Sequence, residues 1–214
     1  MKRVEQIEVH IWGRKVGSLA LDPKLGFYAF AYDKAFGKSG IELSPLHMPL
    51  NNNETPFIFT DLPKATYKLL PAMIADALPD DFGNSLVDRY MASKGIAATR
   101  ISALDRLAYM SNHAMGALEF KPAYDAKKHA PTAIELNSLV MQARSVINGL
   151  TTDNDDLNSA FKNIIEVGTS AGGARAKAVI AWNQQTHEIR SGQIDVPENF
   201  EHWLLKFNVM GIDN

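Results

Sequence analysis

A chain of 214 residues, 46% hydrophobic and 21% charged, carries enough apolar material for one large core or two small ones, which excludes wholesale disorder. Its 22 basic and 24 acidic residues leave a net charge of −2, so no broad field attracts a phosphate backbone and direct nucleic-acid binding is not the main activity expected. There is no cysteine, hence neither disulfides nor thiolate metal sites. No apolar run is long enough to span a bilayer, and the start lacks a signal-peptide core, so no membrane role and a cytoplasmic location are expected.

The first third reads as antiparallel sheet. Ile7, Val9 and Ile11 alternate with Glu8 and His10, the period of a half-buried strand. Trp12 leads into a short turn at Gly13-Arg14, and Val16 to Leu21 return as the hairpin partner. Phe27 to Tyr32 gives a third strand. Pro56 to Phe59 gives a fourth, its proline at a position where no ladder donor is required. Helices follow over 64–78, stopped by Pro79, over 84–94, closed by Gly95, and over 102–110. Ala117 to Phe120 is a short strand.

The polar, aperiodic stretch from Ala123 to Ala130 marks a boundary, with domains at 1–125 and 126–214. Beyond it, Thr132 and Glu135 have capping-box spacing ahead of a helix running to Gly149. A second helix follows, with Asp153, Asp155 and Asp156 near its positive end. Next come a glycine-rich turn (Gly168 to Gly173), a hairpin of Ala178–Trp182 with Glu188–Arg190, and a strand over His202–Phe207. The fold class is thus α+β: an antiparallel, barrel-like sheet subdomain with helices, then helices and a small antiparallel sheet of the kind found in a kinase amino-terminal lobe.

Two elements bear on chemistry. In Ser170-Ala171-Gly172-Gly173-Ala174-Arg175-Ala176-Lys177, small residues allow the backbone to approach a phosphate closely, Lys177 adds charge and Ser170 a hydroxyl. The run is neither a Walker A loop nor G-x-G-x-x-G, and on spacing alone it reads more readily as a flexible turn between strands than as a phosphate loop. In His202-Trp203-Leu204-Leu205-Lys206-Phe207, a lysine lies within an apolar strand. It serves either a nucleotide phosphate or the solvent face of an edge strand, and alternation does not decide between them. Asp81-Phe82-Gly83 spells the metal-binding triplet of ordinary kinases but precedes both elements, so it reads as a helix start with Asp81 as cap. The six histidines show no metal-ligand spacing.

Taken in order, the run Val167 to Ala178 resembles the phosphate loop of HipA-like kinases, and Pro197 to Phe207 resembles the strand that bears their ATP-binding lysine. Leu43 to Leu50, Leu78 to Asn84 and Met115 to Pro122 resemble motifs of the same family's amino-terminal subdomain. That resemblance implies a toxin–antitoxin serine/threonine protein kinase that uses ATP and magnesium. It implies phosphorylation of a protein target such as an aminoacyl-tRNA synthetase, leading to growth arrest. Its partner would be a HipB-type helix-turn-helix antitoxin, with DNA reached only through that antitoxin. Gly172, Gly173, Ala174, Arg175, Ala176, Lys177 and Lys206 then fall where the family grips ATP phosphates. Ser170, or its neighbour Thr169, falls at the regulatory autophosphorylated hydroxyl. Arg175-Ala176 lacks the acidic residue that some members carry before the loop lysine. The resemblance puts the magnesium ligands and the catalytic residues in a carboxy-terminal lobe, with none among residues 1–214. The expectation is therefore an amino-terminal kinase fragment, inactive alone. The alternative is a stand-alone regulatory or binding module that docks on a separate kinase chain or an antitoxin.

Overall fold

Ile7, Val9 and Ile11 form the buried face of β1 (Gln6–Ile11), which pairs antiparallel with β2 (Arg14–Leu21) in the computed structural model. The structure describes residues 4–52, 54–122, 177–193 and 195–206. The helices expected after Thr132 and after Asp153, and the glycine-rich turn, lie outside them.

The β1–β2 loop is the two-residue Trp12-Gly13, both with positive φ (50° and 73°). That geometry matches the right-handed twist of the flanking strands. A register shift between Val9 and His10 bulges the β2 side at Val16, which is fully buried. β3 (Tyr28–Tyr32) pairs with β2, β4 (Phe57–Ile58) with β3, and β5 (Leu118–Lys121) with the free side of β1. The order is β4-β3-β2-β1-β5, antiparallel throughout. Period-two alternation puts Ile7, Leu19 and Phe30 in one buried row, and Phe120, Val9, Gly17 and Tyr32 in the next. On the other face, Lys15 (2.5 Å) and the His10 ring (3.0 Å) hold the Glu8 carboxyl below the usual carboxylate range.

Gly17 is required by this packing. A Cβ there would stand 2.3 Å from the Ala31 carbonyl oxygen and 2.7 Å from the Phe30 ring. Gly17→Ala should therefore cost about 1–3 kcal/mol of overpacking, read as a lower urea midpoint; an unchanged midpoint would refute it.

Tyr32 ties the sheet to the following loop. Its hydroxyl donates to the Met48 carbonyl at 2.8 Å, and burial, reinforced by Glu42, pushes its pKa up from 10.0 to about 12. The folded state thus holds this proton more tightly than the unfolded chain. The contribution is complete below pH 10 and is lost as pH rises through 12. Tyr32→Phe should lose about 1 kcal/mol at neutral pH, where the hydrogen bond disappears, and should then be less sensitive than wild type to rising alkali. Parallel pH–stability curves for the two proteins would contradict this.

The helix expected over 64–78 is two single turns, α1 (Lys64–Tyr67) and α2 (Ala72–Ala75). Pro71 explains the break. It cannot donate to the carbonyl of Tyr67, and it drives Leu70 out of the helical region. Lys68 and Leu69 take positive φ (53° and 68°), leaving Leu70 and Ile74 fully buried.

α3 spans Asp81–Ser93, three residues longer at its start than the spacing predicts. Gly95 closes it as expected, at φ 76°, with its amide on the Ala92 carbonyl and the Ile96 amide on that of Met91. α4 (Ala103–Met110) starts in a capping box, since the Ser102 side chain takes the Asp105 amide while Asp105 accepts from the Ser102 amide at 2.9 Å. Asp105 is nonetheless buried, and its other oxygen accepts from the Val4 amide at 3.3 Å.

A second sheet has the order β7-β6-β8, from β6 (Lys177–Trp182), β7 (Ile189–Ser191) and β8 (Glu201–Lys206), all antiparallel. The chain divides into two compact units, Met1–Leu78 with Ser102–Asp125 and Pro79–Ile101 with Ala126–Asn214. The segment carrying α3 therefore groups with the second sheet, although it lies within residues 1–125. Among the described residues no helix is long and apolar enough to cross a membrane.

Candidate functional site

Both chemistry-bearing lysines that the structure describes lie in the second sheet. Lys177 is the first residue of β6 and Lys206 the last of β8, and the register sets them directly opposite each other. Opposed residues share a face, so Lys177, Val179 and Ala181 stand beside Lys206, Leu204 and His202. The two lysines differ in environment: the side chain of Lys177 is 3% exposed, whereas Lys206 is open to solvent.

Burial of Lys177 is made tolerable by Asp80. The Lys177 ammonium donates to Asp80 Oδ2 at 2.7 Å, and the Asp80 side chain is itself only 6% exposed. The other oxygen, Oδ1, accepts from the Gly83 amide at 2.8 Å and so caps α3. Asp80 is thus the cap, where sequence reasoning chose its neighbour Asp81. The physical reason is backbone geometry: Asp80 has the extended conformation of an N-cap (φ −68°, ψ −175°), while Asp81 is already helical and exposed. As expected, Asp81-Phe82-Gly83 is the start of a helix.

The remainder of the sheet is held by local chemistry. Asn183, buried at the end of β6, accepts from the amides of Gln185 (2.9 Å) and Thr186 (3.1 Å), which fixes the turn into β7. On the face opposite the lysines, the rings of Trp182 and Trp203 meet edge-on at 6.3 Å. Arg190 pairs with Glu188 at 2.7 Å and lies over the Phe200 ring at 4.8 Å. Among the described residues no group of three or more His, Asp or Glu is placed to hold a metal ion.

Gly172, Gly173, Ala174, Arg175 and Ala176, together with Thr169 and Ser170, lie outside the described residues. Of the residues singled out by sequence, the structure brings together Lys177 and Lys206. It adds Asp80, which sequence reasoning missed as a partner of either. The one local signal was Pro79-Asp80 just ahead of a helix; nothing in the sequence links it to a lysine 97 positions later.

Lys206 is thus an exposed lysine at a strand end, and the Lys177 ammonium opposite it is paired with a carboxylate.

Comparison with known proteins identifies a family for the chain. A family model described as the HipA N-terminal domain matches residues 7–121, more than half of the chain. Among solved structures, the chain is similar to HipA of the Shewanella oneidensis toxin–antitoxin system, determined in complex with HipB and its operator DNA. The match has a TM-score of 0.51 at 17% identity and covers 96% of this chain and 41% of the other. It is a likeness of fold, and this chain spans about two-fifths of that protein's length. No curated protein matches the chain.

Proposed function

The chain belongs to the HipA family, and on that premise we propose that it is the amino-terminal, nucleotide-gripping part of a toxin–antitoxin serine/threonine protein kinase. The observation that carries this reading is the direct opposition of Lys177 and Lys206 at the end of β6 and β8. A glycine-rich segment followed by a strand lysine is the arrangement with which kinases hold nucleotide phosphates. In this reading Gly172 to Ala176 and Lys206 hold the phosphates of ATP, while Lys177, which the resemblance grouped with them, is taken up by Asp80. Bound with magnesium, ATP supplies the phosphoryl group. The residues that hold the metal and orient the acceptor hydroxyl belong to a further helical lobe.

The same premise gives the partners. The fold relative was determined with HipB and operator DNA, which supports a HipB-type helix-turn-helix antitoxin as the partner here, with DNA reached through it. The substrate in this reading is a protein, an aminoacyl-tRNA synthetase being the family's type of target, and its phosphorylation arrests growth. Phosphate on Ser170 or Thr169 would add nearly two negative charges where nucleotide phosphates sit, and so switch the enzyme off.

The test is radiolabelled phosphate transfer by a chain extended through a second lobe. Lys206→Ala should reduce transfer about 100-fold or more, because the lost cation acts on charge that develops in the transition state. A polypeptide of residues 1–214 should transfer none. Full transfer by the Lys206→Ala protein would refute the phosphate role. Lys206-dependent transfer by residues 1–214 alone would place the catalytic groups within this chain.

A further inference from the structure

Two lysines directly opposed on adjacent strands repel each other unless one is neutralised. Here the neutraliser comes from a distant part of the sequence: Asp80 takes up the Lys177 ammonium at 2.7 Å, with both side chains more than nine-tenths buried. We propose that Asp80 is a positioning residue for phosphate binding. It commits Lys177 to a structural pair and leaves Lys206 as the cation that β6 and β8 present to the nucleotide. This deepens the proposed function and rests on it.

Three features carry the inference. The first is asymmetry of exposure, since Lys177 is 3% exposed while Lys206, its register partner, is open. The second is bidentate use of the carboxylate. With Oδ1 on the Gly83 amide and Oδ2 on Lys177, Asp80 is fixed at both oxygens and fastens the start of α3 to the first residue of β6. The third is charge. The Asp80 carboxylate offsets the Lys177 ammonium, and the Lys206 charge stays exposed. A phosphate recruiting Lys177 instead would have to break a desolvated ion pair, and Asp80 would be left facing the anion. Asp80 touches no nucleotide in this account. It acts through Lys177, by fixing the strand opposite Lys206.

The experiment is amine-reactive footprinting of the wild-type full-length protein, read by mass spectrometry with and without MgADP. Lys206 should be labelled in the free protein and protected by MgADP, while Lys177 stays unlabelled in both states. Protection of neither lysine would defeat the kinase reading itself. Labelling of Lys177 in the free protein, with protection of either lysine by MgADP, would overturn this inference and leave that reading intact. Calorimetry with MgADP gives a second readout. The neutral pair Asp80→Asn/Lys177→Gln keeps a hydrogen bond in place of the ion pair and should bind within about threefold of wild type, whereas Lys206→Ala should lose about tenfold or more. A loss in the double variant equal to that of Lys206→Ala would show that the Lys177 charge itself meets phosphate, and would overturn the proposal.

Discussion

Asp80→Ala is expected to destabilise the protein by about 3–5 kcal/mol, a large part of the stability of a small domain. The substitution removes a carboxylate 2.7 Å from an ammonium that is 3% exposed, and breaking a buried ion pair by deleting one member costs far more than the pair contributes when intact. It also releases the Gly83 amide at the start of α3, an N-cap loss of about 1 kcal/mol. The two components separate in a double variant. Asp80→Ala/Lys177→Met removes both charges of the pair, so its deficit should be smaller than that of the single variant. Urea denaturation of the wild type and the two variants measures both. If the single variant were no less stable than the double, the pair would be contributing nothing and the Lys177 ammonium would be finding water instead.

Phe30→Ala should cost about as much, about 3–5 kcal/mol, for a different reason. Phe30 is fully buried in the central row of the first sheet, with Leu19 opposite on one side and Phe57 on the other. Its ring meets Tyr32 edge-on at 5.0 Å. Truncation forfeits the transfer free energy of the ring and leaves a cavity that strands on both sides cannot collapse into. The same ring lies over the bare backbone of Gly17, so the two positions should not be additive. Gly17→Ala should cost less in a Phe30→Leu background than in wild type, because the ring atoms 2.7 Å from the added methyl are gone. It should still cost something, because the Ala31 carbonyl oxygen at 2.3 Å remains. Additive midpoint shifts would show that the glycine is set by the backbone alone.

The sequence by itself determined the elements whose signal is local. Alternation of Ile7, Val9 and Ile11 placed β1, and the periodic apolar residues ahead of Gly95 and after Ser102 placed α3 and α4. The order of short motifs pointed to the HipA family, which the match over residues 7–121 establishes. Local signals also misled where two competed. Leu69, Leu70, Met73, Ile74 and Ala77 read as one helical face, yet Pro71 overrode the pattern, because a missing donor and a steric clash outweigh propensity.

Only the tertiary structure decided what stands next to the two lysines. Strand alternation told which residues share a face with Lys206 but not which residue lies across from it. Register depends on pairing between segments far apart in the chain, and a shift of one residue would turn Lys206 to the other face. Likewise Asp80 could be read from sequence only as a residue near a helix start. Its pairing with Lys177 follows from low dielectric and desolvation, which exist only once α3 and β6 are brought together and water is excluded from both side chains.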